Sequence, residues 1–171
     1  MEFESLPTTP TSEELLDKAF SKAARVGKAQ YGVQAQRSML RTSSNILSDN
    51  LEHIVQSWPD FDSISPFYYE LADILVEVGT LRKSLGKIQW ASIKTKDIGR
   101  EHQSSLIGTN LEQARDIRRQ AFARMASVVR GVSSELIFLS EARDSLRHLP
   151  TIDPGIPTVV VAGYPNVGKS S

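Results

Sequence analysis

The sequence predicts a mainly α-helical fold in two parts. Residues 1–150 read as an N-terminal antiparallel helical bundle, and 151–171 as a linker, the first strand and the phosphate-binding loop of an incomplete α/β P-loop domain. Three observations carry this. Five segments before residue 150 repeat apolar side chains at three-, four- and seven-residue spacing, the mark of helices with one buried stripe. Pro150, Pro154 and Pro157 then cluster where a helix cannot continue. Last, Thr158–Ser171 reads TVVVAGYPNVGKSS, an apolar β-branched run leading into G-x-x-x-x-G-K-S.

Pro7 and Pro10 make residues 1–10 an extended lead-in. Thr11-Ser-Glu-Glu14 is a capping box with Thr11 as N-cap. The helix it opens carries Leu15, Leu16, Ala19, Phe20 and Ala23 on one face and ends near Gly27. A second helix over 33–57 aligns Leu40, Leu47, Leu51, Ile54 and Trp58 as a bundle seam, and Pro59 stops it. Ser65-Pro66 supplies an N-cap and a proline at N1, opening a third helix with Phe67, Leu71, Ile74, Leu75 and Val78 as its buried stripe. Gly79-Thr80 marks a break. A fourth segment carries Leu81, Leu85, Ile88, Ala91 and Ile98 to about Ile107, where Gly108 ends it. Thr109-Asn-Leu-Glu112 reads as a second capping box, opening the longest helix, which runs to about Leu149. LPTIDPGIP then reads as a stiff linker that puts the domain boundary near 150. No repeat is evident.

The glycine-rich stretch carries chemistry. Gly163 lets the chain turn sharply from the strand, and Gly168 lets backbone N–H groups approach phosphate oxygens without a Cβ in the way. In that pattern Lys169 bridges the β- and γ-phosphates and the Ser170 hydroxyl binds Mg²⁺. A bland reading of the same residues is an ordinary glycine-rich turn after a strand. Another is a non-enzymatic helical module for RNA or protein whose P-loop is vestigial.

Composition bounds the rest. Twenty Lys or Arg balance 20 Asp or Glu, and cysteine is absent, so disulfides and thiolate metal sites are excluded. His53, His102 and His148 lack ligand spacing and read as surface or boundary residues. No apolar run approaches the roughly 20 residues that span a membrane. The start MEFESLP has no apolar core, so it does not read as a signal peptide, and the expectation is a cytoplasmic monomer. Residues 1–150 show no catalytic constellation. Charge is uneven: residues 81–130 hold 11 Lys or Arg against 4 Asp or Glu, a balance of +7 that leaves −7 elsewhere. This group reads either as solvated helix faces or as a surface lying on a phosphate backbone, with Arg115, Arg118 and Arg119 as candidate RNA contacts.

Four stretches together carry a resemblance: Ser-Pro-Phe-Tyr at 65–68, Leu-Gly-Lys-Ile at 85–88, Leu-Pro-Thr-Ile-Asp-Pro at 149–154 and Gly-Tyr-Pro-Asn-Val-Gly-Lys-Ser-Ser at 163–171. The chain resembles the nucleolar GTP-binding protein (Nog) family, a branch of the Obg-related GTPases, over nearly its whole length. The resemblance implies a helical domain followed by a GTP-binding domain, acting in assembly of the large ribosomal subunit. Its implied partners are the subunit precursor and ribosomal RNA, and its implied cofactors are GTP and Mg²⁺. Asn166, Val167, Gly168, Lys169, Ser170 and Ser171 would then meet nucleotide, with Ser170 on the metal. Pro165-Asn166-Val167 favours GTP over an ATP-using P-loop enzyme. The sequence stops within the first nucleotide-binding motif, so no turnover is expected of these 171 residues alone.

Overall fold

A computed structural model of the chain describes residues 3–150, 152–153 and 155–165. Six helices form among them: α1 (Ser12–Lys28), α2 (Gly32–Gln56), α3 (Pro66–Val76), α4 (Val78–Ser105), α5 (Leu111–Arg130) and α6 (Ser133–Arg147). The all-helical architecture of the first 150 residues is as expected. No strand forms among the described residues. Residues 158–162, expected as a strand, sit in no regular element, with Val159, Val160 and Val161 exposed. A strand is stable only when its N–H and C=O groups meet a neighbour's, and the described chain offers them none.

Most neighbouring helices run antiparallel, and α2 and α5, both antiparallel to α4, run parallel to each other. Lys18 bonds Asn50, and Gly27 lies against Met39, so α1 and α2 run in opposite directions. Ser48 meets Ser92, and Ser44 meets Gly99, which sets α2 against α4. Arg124 pairs with Glu101 and Lys87 with Glu135, so α5 and α6 in turn run back along α4. Glu13–Arg130 and stacked Phe20–Phe122 close α5 onto α1. The expected stripes are buried along α2 (Leu40, Leu47, Leu51, Ile54), at Trp58 just past its end, and along α4 (Leu81, Ile88, Ala91, Ile98), with Leu85 half-buried.

The α2–α4 contact is built from small residues. Ser43, Ser44 and Ser48 of α2 and Ser84, Ser92 and Thr95 of α4 are buried. Each hydroxyl there must find a partner. Ser92 Oγ donates to Ser48 O at 2.8 Å, while Ser43 and Thr95 bond carbonyls of their own helices. A Cβ on Gly99 would overlap the Ser44 side chain, so glycine is what lets the two backbones come this close.

Several expectations are corrected. The helix expected to run from 110 to 149 is two: α5 ends at Gly131, and Val132 takes φ −111° and ψ 17°, outside helical geometry. The apolar spacing continues through this break, which is why periodicity does not reveal it. The second capping box lies one residue later, with Asn110 and Gln113 exchanging bonds of 2.9 and 3.1 Å. The break between α3 and α4 falls at Glu77, a non-glycine residue at φ 57°, two positions before Gly79. Asp73 Oδ1 accepts from Val78 N–H at 2.9 Å there, satisfying a donor at the start of α4.

On α3 the expected stripe is mostly on the wrong face. Ile74 is 79 %, Leu75 48 % and Phe67 40 % exposed, while Ala72 and Val76 are buried. Both faces of this short helix are apolar, and the smaller one approaches the bundle. Nor is the lead-in simply extended: Phe3 and Leu6 are in the core, Phe3 beside Phe61 and Tyr68, and Arg143 Nε donates to Leu6 O at 2.9 Å.

Candidate functional site

The phosphate-binding stretch begins among described residues and continues beyond them. Gly163, Tyr164 and Pro165 are exposed. Asn166, Val167, Gly168, Lys169, Ser170 and Ser171 lie outside the described residues. The approach to this stretch is anchored. Tyr68, in the first turn of α3, donates its hydroxyl to Ile152 O and accepts from Ile152 N–H, both at 2.9 Å. Asp153 Oδ1 accepts from Gly155 N–H at 2.8 Å, a local turn in the linker.

The basic group of 81–130 is spread over α4 and α5 and is partly neutralised. Arg82 pairs with Asp62 at 2.6 Å, Lys87 with Glu135 at 2.7 Å, Arg119 with Asp116 at 3.2 Å, Arg124 with Glu101 at 3.3 Å and Arg130 with Glu13 at 2.8 Å. Lys83, Lys94, Lys96, Arg100 and Arg115 join none of the ion pairs among the described residues. The Arg130 hydrogen bond holds the Glu13 carboxyl below the usual carboxylate range.

The three arginines singled out from the sequence share one stretch of α5 but do different things. Arg118 Nε donates to Gln36 Oε1 at 2.6 Å, and its guanidinium lies 5.2 Å from the Phe122 ring centroid. Burial pulls this guanidinium below its ordinary value, and the like charges of Arg119 and Arg115 act in the same direction. Arg118 therefore ties α5 to α2 and is only partly available to a ligand. Arg119 is ion-paired, and Arg115 is the exposed member that joins no ion pair among the described residues.

No group of three or more His, Asp or Glu suited to a metal occurs among the described residues. His102, expected at the surface or boundary, is buried and donates Nδ1–H to Ile98 O at 2.8 Å. The surface depressions are open and shallow. One of about 430 Å³ is bordered by Glu13, Glu14, Asp17, Phe20 and Arg130, and another by Leu111, Glu112, Arg115, Asp116 and Arg119. Neither presents an enclosed, apolar site with convergent polar groups, as small-molecule chemistry requires. Trp90, which belongs to no motif or apolar stripe of the sequence, stands exposed on α4. No helix among the described residues is long and apolar enough to cross a membrane.

The described residues thus form a helical bundle with an anchored exit and a basic stretch along α4 and α5. The chain belongs to the NOG1 N-terminal helical domain family, whose model matches residues 3–153. It is 30% identical to an uncharacterized protein of Methanocaldococcus jannaschii, over 99% of this chain and 51% of that protein. It is 28% identical to nucleolar GTP-binding protein 1 of Saccharomyces cerevisiae over 100% of this chain and 28% of the relative. It is also 30% identical to nucleolar GTP-binding protein 1 of Caenorhabditis elegans over 99% of this chain and 26% of the relative. The chain thus spans about half the length of the archaeal relative and about a quarter of the eukaryotic ones.

Proposed function

We propose that this chain is the N-terminal part of a GTP-binding protein that acts on the precursor of the large ribosomal subunit. In this reading residues 1–150 are an RNA-binding helical domain, and 151–171 are the linker, first strand and phosphate loop of the GTP-binding domain. Val167 and Gly168 offer backbone N–H groups to phosphate, Asn166 and Ser171 flank them, Lys169 compensates the phosphate charge and Ser170 holds Mg²⁺. The observation that carries the reading is the pairing, in one chain, of the family's helical domain with G-x-x-x-x-G-K-S directly after it, within the stretch that aligns with the relatives. The names of those relatives, nucleolar and GTP-binding, support the nucleotide and the ribosomal setting.

The test is equilibrium binding of a fluorescent GTP analogue to a protein continued through the rest of the GTP-binding domain. Lys169→Ala is expected to weaken binding by at least about tenfold while far-UV circular dichroism stays unchanged. Unaltered affinity in that variant, or no binding by the unsubstituted protein, sinks the phosphate-loop assignment. It would leave the helical interaction module with a vestigial loop as the better account.

A further inference from the structure

The solvent face of α4 carries an aromatic ring among lysines. Trp90 is 55 % exposed and Ile93 52 %, whereas Trp58 is 8 % exposed in the core. Burying an indole is among the larger apolar gains open to a side chain, so one left half in water is informative. On a helix the residues three, four and seven positions away share a face. For Trp90 these are Lys83, Gly86, Lys87, Ile93, Lys94 and Asp97.

A helical side chain leans over the turn N-terminal to its own Cα. One turn before Trp90 stands Gly86, where an added Cβ would meet nothing within 4 Å, so the surface there is open. Lys87 is paired with Glu135 yet remains largely exposed. Lys83 and Lys94 join no ion pair among the described residues. They lie eleven positions apart, roughly 16 Å along the helix axis, on either side of Trp90. Asp97 is the acidic residue of this face.

We propose that Trp90 is a stacking platform for an unpaired RNA base, with Lys83 and Lys94 meeting phosphates on either side. The proposal rests on the RNA-binding reading above and deepens it by naming single-stranded RNA as the ligand and α4 as its seat. Single-stranded nucleic acid is held by exposed aromatic rings set in positive surface, because every base has a π-face and every nucleotide a charge. An apolar protein surface would want further large apolar neighbours around Trp90. This face instead offers Ile93 as its one other large apolar residue, with Gly86, Asp97 and three lysines at the remaining helical spacings. Charge distribution points the same way, since the chain outside 81–130 carries −7 and repels a polyanion.

Tryptophan emission tests this, because Trp90 is accessible and Trp58 is shielded. The 171-residue chain is titrated with a hairpin RNA bearing a long unpaired loop, and with a fully paired duplex. Quenching is expected with the looped RNA alone. Trp90→Ala should abolish it and weaken binding about tenfold. Trp90→Phe should retain most of the affinity, and Lys83→Glu with Lys94→Glu should weaken binding and flatten its salt dependence. If the chain binds looped RNA with equal affinity after Trp90→Ala, the stacking site is overturned while the RNA reading stands. Equal quenching by the duplex also overturns it, since a paired base cannot stack there. If the unsubstituted chain binds neither RNA, both readings fall together.

Discussion

Glu135 is a buried carboxylate that keeps its charge. Burial pushes its carboxyl up, but hydrogen bonds from Lys87, its own backbone N–H and Ser134 outweigh that and leave it lowered. A carboxylate lowered in the folded state contributes stability above its unfolded value and loses it as pH falls through the folded one. The chain should therefore lose stability on acidification below the ordinary carboxylate range. Glu135→Gln should show a shallower loss there, and cost about 1 kcal/mol or less near neutrality because Lys87 is mostly solvated. Urea melts at several pH values check this, and identical pH profiles would mean that the pair is energetically silent. The sequence hides this residue: nothing in Ser134-Glu135-Leu136 marks one glutamate as buried among 20 acidic side chains. Only the packing of α6 along α4 covers it. Phe3 and Leu6 are hidden for the same reason, since two isolated apolar residues among prolines carry no period.

At the scale of the helix, caps and long stripes are legible in the sequence and junctions are not. Thr11 Oγ1 accepts from Glu14 N–H at 3.2 Å, and Ser65 caps a helix with proline in its first turn. These signals are local, so the local sequence contains them. The α5–α6 break is not local. Its apolar positions keep helical spacing across Gly131, and packing against both α4 and α3 decides the bend. The small-residue contact between α2 and α4 is equally unreadable, because serine and glycine at helical positions ordinarily signal solvent. Gly99 offers a test. Alanine normally favours a helix over glycine by about 1 kcal/mol. Here the added Cβ overlaps Ser44, so Gly99→Ala should instead destabilise the bundle by about 1–3 kcal/mol. Ser44→Gly in the same chain should recover part of that loss, a favourable coupling in a double-mutant cycle. Additive effects, or a stabilised single variant, would show that the helices separate easily at this point.

For the molecule as a whole, the fold rests on residues before the linker. The helices pack on one another through a single core running from Phe3 to Leu146, and the residues after Pro150 add to it mainly through Tyr68. A chain ending at Leu149 should thus show dominant helical circular dichroism and one cooperative thermal transition, within a few degrees of the full chain. A broad, non-cooperative melt would mean that the bundle depends on residues beyond Leu149. The class of fold is readable because five amphipathic stripes cannot stay soluble apart. The proposed phosphate loop rests on sequence alone, on a spacing that phosphate geometry requires. The proposed RNA surface shows in the sequence only as a local excess of charge, since charge runs do not say which arginines are spent within the protein. Arg118, lodged between Gln36 and Phe122, is the example.

The Tyr68 side chain also has a mechanical meaning. Its ring meets Phe3 edge-on, with centroids 6.5 Å apart, and its hydroxyl holds both backbone groups of Ile152. The way into the bundle and the way out of it therefore converge on one residue of α3. A pull applied between those two segments would be borne by Tyr68 on α3 together with the Arg143–Leu6 bond on α6. A short bridge between the same segments would close the domain into a ring, and new ends could be opened at an exposed turn without altering how the helices meet.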